Sequence, residues 1–123
     1  MIKYPYSKPE ITESDMTSVV EVLKNGYLTQ GSKILEFEKQ LKNNFKCNHA
    51  IVLNSGTAAL HLIYSVLGIG PDAGILTSPI TFLSTANAAK MLNAPVVFAD
   101  VDPLTGLITP ETIEKGISSS SIK

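Results

Sequence analysis

Ile51-Val52-Leu53-Asn54-Ser55-Gly56-Thr57-Ala58-Ala59-Leu60-His61-Leu62 is the stretch that decides how this 123-residue chain folds. An apolar run of strand type, Ala50 to Leu53, gives way to a turn of small residues. A helical stretch follows at once, reaching Leu67, and Gly68 ends it. Helix N-termini carry unpaired N–H groups and a partial positive charge, so such a turn can hold a phosphate without a cation. Gly56 lets the backbone approach an anion closely, and the Ser55 and Thr57 hydroxyls offer further hydrogen bonds. The same residues also fit a plain capped turn. They form neither a Walker loop nor a G-x-G-x-x-G fingerprint, whose lysine and glycines are absent.

Strand and helix signals alternate beyond this point. Ile75-Leu76-Thr77-Ser78 is a second strand candidate closed by Pro79, Ser84 to Leu92 reads as an alanine-rich helix, and Val96 to Asp100 is a third strand candidate. Thr109-Pro110-Glu111 opens a last helix with a cap, a first-turn proline and an acid. This alternation predicts an α/β fold with a mostly parallel open sheet and flanking helices, joined by right-handed crossovers. The earlier residues differ. Tyr4-Pro5-Tyr6-Ser7-Lys8-Pro9 is a proline-broken arm, and Thr12 caps a helix whose apolar side is Val19, Val20 and Leu23, stopped by Gly26. After the loop Tyr27-Leu28-Thr29-Gln30-Gly31, Ser32 is expected to cap a second helix with Ile34, Phe37, Leu41 and Phe45 on one face. The expected division is residues 1–48, an arm and two helices, and residues 49–123, the start of an α/β domain. Ser118-Ser119-Ser120-Ser121 falls where another strand is due, so the chain reads as the front part of a longer protein.

Composition removes several function classes. A formal net charge of −1 predicts no nucleic-acid and no membrane partner. All ten basic residues are lysine, so a bound phosphate must rest on backbone N–H groups, hydroxyls or lysine instead of an arginine fork. Cys47 alone excludes an internal disulfide, and His49 and His61 are too few for most metal sites, so no metal is expected. No apolar h-region opens the chain and no apolar run nears the roughly 20 residues of a membrane span. A soluble cytoplasmic protein is expected.

Four segments together carry a much more specific signal: Asn54 to Leu62, Leu67-Gly68-Ile69-Gly70-Pro71, Ser78-Pro79-Ile80-Thr81-Phe82-Leu83-Ser84-Thr85-Ala86-Asn87-Ala88, and Pro95-Val96-Val97-Phe98-Ala99-Asp100-Val101-Asp102-Pro103. With Gly26 to Gly31 and Phe37-Glu38 ahead of them, they resemble the DegT/DnrJ/EryC1/StrS aminotransferases in order and spacing, over essentially the whole chain. The stretch corresponds to roughly the first third of a family member. The resemblance implies part of the large domain of a fold-type-I enzyme dependent on pyridoxal 5'-phosphate (PLP), usually a homodimer. Such enzymes move an amino group from glutamate to a keto group on a nucleotide-linked sugar, a step of polysaccharide biosynthesis. It further implies that the turn matching Gly56 and Thr57, with Ser55 beside it, holds the cofactor phosphate. The aromatic residue matching Phe82 stacks on the pyridine ring, and the loop matching Thr29, Gln30 and Gly31 lies beside the active site. Asp72-Ala73-Gly74 departs from the family pattern, as does Asn93 where the family prefers glycine, although Asn tolerates left-handed backbone angles well.

The resemblance also implies a lysine joined to the cofactor aldehyde and an acid against the ring nitrogen, both lying beyond the matched third. None of the ten lysines matches: Lys90 falls in a helix, and Lys33, Lys39, Lys42 and Lys46 form a solvated helical face. No catalytic residue is therefore assigned, and the chain alone is expected to be inactive. A related PLP-dependent sugar dehydratase and a non-catalytic phosphate-binding α/β module are the competing readings. Phe82 also fits a core position, Thr81 and Thr85 fit helix caps, and His61 and Tyr64 fit packing. Asp100 and Asp102 read as turn formers.

Overall fold

Thr12 and Asp15 close a reciprocal capping box at the start of α1 (Glu13–Asn25). Thr12 Oγ1 accepts from the Asp15 N–H at 3.3 Å, and Asp15 Oδ2 accepts from the Thr12 N–H at 2.8 Å. That Thr12 N–H, and then the Thr12 hydroxyl, hold the Asp15 carboxyl below the usual carboxylate range. The structure, a computed structural model, describes residues 6–120. Tyr4 and Pro5 of the expected arm and the last residues from Ser121 lie outside them.

α1 stops at Gly26 as expected, though not through a left-handed angle, since φ is −107°. A Cβ there would stand 2.9 Å from the Val22 carbonyl oxygen, so the glycine is needed for space. Ser32 does not cap α2 (Ser32–Phe45) but is its first residue. Gly31 holds the cap position without any side-chain bond, which glycine tolerates almost as well as threonine.

Two compact units emerge, Met1–Val52 and Leu53–Lys123. Val52 falls in the first, where its N–H donates to Glu38 Oε1 at 3.0 Å. The run Ala50 to Leu53 is no strand among the described residues, and Ile51 remains 79% exposed. Strand character needs a ladder partner, which a local apolar run does not provide. The expected three strands are two.

The second unit contains α3 (Gly56–Val66), β1 (Ile75–Thr77), α4 (Ser84–Lys90), β2 (Val96–Phe98) and α5 (Pro110–Ser118). β1 and β2 pair in parallel, with Ile75 opposite Val96 and Thr77 opposite Phe98. α4 is the crossover between them and packs on both strands and on α3, while α5 packs on both strands. The predicted α/β class with parallel pairing and flanking helices is what forms. Thr109 caps α5 with Pro110 in its first turn, as its sequence dictates.

The family departures fall in turns that close well. Gly70 and Ala73 exchange backbone hydrogen bonds of 2.9 and 3.1 Å around Pro71-Asp72. Asn93 adopts φ 58°, in the left-handed region, where its short polar side chain substitutes for glycine. Asn93→Gly is accordingly expected to leave stability unchanged or raise it, and Asn93→Val to lower it by roughly 1–2 kcal/mol. Urea denaturation compares the three proteins.

Burial is confined to small residues. Ala88, Ala89, Ala94 and Ala99 are 0–1% exposed, and no large side chain is fully buried among the described residues. Gly116 is buried where α5 meets the strands: a Cβ there would stand 3.0 Å from Leu76 Cδ1 and 3.5 Å from Ala99 Cα. Gly116→Ala needs only a small shift of a flexible leucine methyl, offset by a helix-propensity gain of about 1 kcal/mol. That variant is expected to be near neutral. Gly116→Val presses a branched side chain against the Ala99 backbone and is expected to cost roughly 1–3 kcal/mol in the same denaturation assay.

Candidate functional site

α3 begins at Gly56, one residue before Thr57, with Ser55 as its cap. Ser55 Oγ accepts from the Ala58 N–H at 3.1 Å, and the Ser55 carbonyl accepts from the Ala59 N–H at 3.1 Å. The first two N–H groups of the helix, those of Gly56 and Thr57, have no acceptor among the described residues. They are among the four N–H groups at a helix start that the helix cannot satisfy internally, of which Ala58 is served by the Ser55 side chain. Ser55 and Gly56 are exposed, and no atom lies within 4 Å of the place a Gly56 Cβ would take. Since its cap bond uses Ser55 Oγ as acceptor, the hydroxyl proton can still be donated outward.

Phe82 lies between the end of β1 and the start of α4 and is 79% exposed, so it is no core side chain here. Its carbonyl accepts from the Thr85 N–H at 3.0 Å, which ties it to the first turn of α4. Thr81 Oγ1 and Thr85 Oγ1 share a hydrogen bond of 3.3 Å, and Ser78 Oγ accepts from the Ile80 N–H at 3.0 Å. Tyr64, on α3, donates its phenolic O–H to the Thr85 carbonyl at 3.2 Å. One unit thus carries the small-residue turn at the start of α3 and Phe82 just ahead of α4, two helices that pack together and are hydrogen-bonded to each other.

Thr29, Gln30 and Gly31 lie in the first unit, in the bend between α1 and α2. Gln30 has φ 51°, a left-handed angle that costs a residue with a Cβ roughly 1–2 kcal/mol. A Cβ at Gly31 would stand 2.7 Å from the Tyr27 carbonyl oxygen. This bend is therefore tightly specified.

The remaining candidates serve structure. Asp102 Oδ1 accepts from the N–H groups of Leu104 and Thr105 at 3.0 and 2.8 Å and from the Thr105 hydroxyl at 3.0 Å. The Thr105 N–H first, then its hydroxyl, keep the Asp102 carboxyl below its ordinary range. Asp100 Oδ1 accepts from the Val101 N–H at 2.8 Å. Asp102 forms a turn, as read from the sequence, whereas Asp100 lies ahead of that turn. His61 is half-buried in the middle of α3. All eight lysines of the described residues are exposed, and Lys33 pairs with Glu36 at 2.8 Å on the surface. Among the described residues no group of three His, Cys, Asp or Glu side chains could hold a metal, and no helix is long and apolar enough to cross a membrane.

The residues present fit a PLP phosphate. Two N–H groups without an acceptor among the described residues, a hydroxyl and open space at Gly56 can receive an anion, and an exposed aromatic ring lies just before the neighbouring helix α4. Sequence reasoning placed Tyr64 in packing and missed its hydroxyl bond to α4. The available signal was a lone phenol two turns beyond Gly56 in a helix otherwise rich in alanine and leucine.

Known proteins resemble this chain in sequence and fold. The DegT/DnrJ/EryC1/StrS aminotransferase family pattern matches residues 9–122. The chain belongs to this family, whose members depend on PLP. Spore coat polysaccharide biosynthesis protein SpsC of Bacillus subtilis (strain 168) is 41% identical over 114 residues, covering 93% of this chain and 29% of that protein. UDP-4-amino-4-deoxy-L-arabinose–oxoglutarate aminotransferase of Shewanella sediminis (strain HAW-EB3) is 41% identical over 98 residues, covering 80% of this chain and 25% of that one. Among solved structures, the PLP form of Spr1654 from Streptococcus pneumoniae superposes with a TM-score of 0.85 at 32% identity, covering 92% of this chain and 29% of that one. The chain thus spans between a quarter and a third of the length of these relatives.

Proposed function

We propose that this chain provides the phosphate seat and one ring face of a PLP-dependent aminotransferase acting on a nucleotide-linked keto-sugar with glutamate as amino donor. The observation that carries the reading is the pair of unaccepted N–H groups, Gly56 and Thr57, at an open helix start. Relatives named for amino transfer to UDP-linked sugars and for polysaccharide biosynthesis support the substrate class.

Bound in this seat, PLP supplies the electron sink that lets a proton leave the substrate carbon. The chain's own part is binding and orientation. The Gly56 and Thr57 N–H groups and the Ser55 O–H donate to phosphate oxygens, and the α3 dipole favours the negative charge. Phe82 offers a flat apolar face that shields one side of the ring from water. Thr29, Gln30 and Gly31 are assigned to the substrate side. No side chain among the described residues is assigned to move the substrate proton. The active form is a homo-oligomer, and the free, exposed Cys47 suits the reducing cytoplasm.

Equilibrium dialysis with PLP tests the reading. Wild-type chain is expected to retain PLP and to lose it to competing inorganic phosphate. Gly56→Asp, which α3 tolerates because acids are favoured in a first turn, is expected to weaken retention about tenfold through like-charge repulsion. Equal retention by the two proteins would refute it.

A further inference from the structure

We infer that Tyr64 is a positioning residue: its phenolic O–H fixes the Phe82-bearing segment against α3, and so sets the separation between the ring face and the phosphate seat. The inference rests on the function proposed above. Its basis is a continuous chain of contacts. Tyr64 stands eight residues after Gly56, roughly 12 Å further along α3. Helical side chains lean back toward the N-terminus, so its hydroxyl reaches back along α3 toward the seat. There it donates to the Thr85 carbonyl at 3.2 Å, between residues 21 apart in sequence. Thr85 in turn donates its N–H to the Phe82 carbonyl at 3.0 Å, and its hydroxyl shares a hydrogen bond with that of Thr81.

Nothing else described fixes this relationship so directly. α4 packs on α3 and on both strands with only Ala88 and Ala89 fully buried, and apolar burial is non-directional, so it does not by itself fix one relative shift of the helices. A directional hydrogen bond removes that freedom at the end of α4 next to Phe82. Tyr64 is half-buried, so the bond is partly shielded from competing water. A packing role alone needs only the ring, which phenylalanine supplies equally. The hydroxyl is what the positioning role adds.

Tyr64→Phe separates the two. In 15N-labelled 123-residue chain, titrations with inorganic phosphate and with PLP are read at the Gly56 and Thr57 amides. The variant is expected to bind phosphate within about twofold of wild type, because the seat is intact. Its PLP affinity is expected to fall roughly threefold to tenfold, the loss of one aromatic contact. Equal loss for both ligands, or for neither, would overturn the positioning role. A second, ligand-free arm compares residual dipolar couplings of α3 and α4 amides. A changed angle between the helices in Tyr64→Phe is expected, and an unchanged angle overturns the inference. Should wild-type chain show no PLP response at all, the proposed function fails, while the ligand-free arm still decides whether Tyr64 sets the α3–α4 geometry.

Discussion

Purified 123-residue chain, given PLP, glutamate and a nucleotide-linked keto-sugar, is expected to transfer no amino group above the rate in buffer. Enzymatic acceleration is commonly a millionfold or more, so the expected deficit is correspondingly large. The reason lies in the lysines. Covalent work on an aldehyde needs an amine held beside it and made nucleophilic, typically by desolvation or a neighbouring cation. Every lysine of the described residues is exposed. Lys90 closes α4 six residues after Ser84, roughly 9 Å along the axis from the end next to Phe82. Lys33, Lys39 and Lys42 are exposed on α2 and Lys46 is exposed just past its end, and Lys33 is engaged with Glu36. Borohydride treatment in the presence of PLP, followed by peptide mass mapping, should therefore find no single lysine preferentially modified. Turnover above buffer, or one lysine modified stoichiometrically, would contradict this.

The chain is also expected to associate with itself. It exposes 10343 Å² for a mass of 13.2 kDa. Two separate compact domains of half that mass each would together expose about 7,700 Å². The surplus, about 2,600 Å², exceeds the roughly 1,200–2,000 Å² that a stable interface buries in total. Much of it is apolar: Val66 is 87% exposed, Leu104 93% and Ile51 79%. Among the described residues β1 and β2 each pair on one side only, leaving ladder groups open on the other. With a net charge of −1, little repulsion opposes contact. Multi-angle light scattering is expected to give at least twice the monomer mass at micromolar concentration. A 13.2 kDa particle persisting at high concentration would show that the surplus surface is stable in water.

How much of this was legible in the sequence follows from the range of each interaction. Thr12 and Thr109 could be named as caps because their partners lie three residues away. Asn93 could be matched to a left-handed turn because the preference belongs to the residue itself. The same held for Asp102, whose partners Leu104 and Thr105 are close neighbours. Parallel pairing of Ile75–Thr77 with Val96–Phe98 followed from the helix between them. The run at Ile51 looked no different from those two, yet no strand formed there, because pairing depends on chain far away in sequence. At the candidate site a capped turn was legible, though not that Ser55 is its cap. The bond from Tyr64 to Thr85 was not, since nothing local tells which carbonyl a phenol will find across a helix interface. Gly116 escaped notice for the same reason: its lack of a side chain matters only where α5 meets Leu76 and Ala99.

The most direct test is an amide and aromatic shift map of the labelled chain with PLP and, separately, with pyridoxal lacking the phosphate. PLP is predicted to move the Gly56 and Thr57 N–H resonances together with the Phe82 ring protons, and pyridoxal is predicted to leave those two N–H resonances in place. Shifts gathered instead at the groove between Phe98 and Lys115, with Gly56, Thr57 and Phe82 silent, would contradict the assignment.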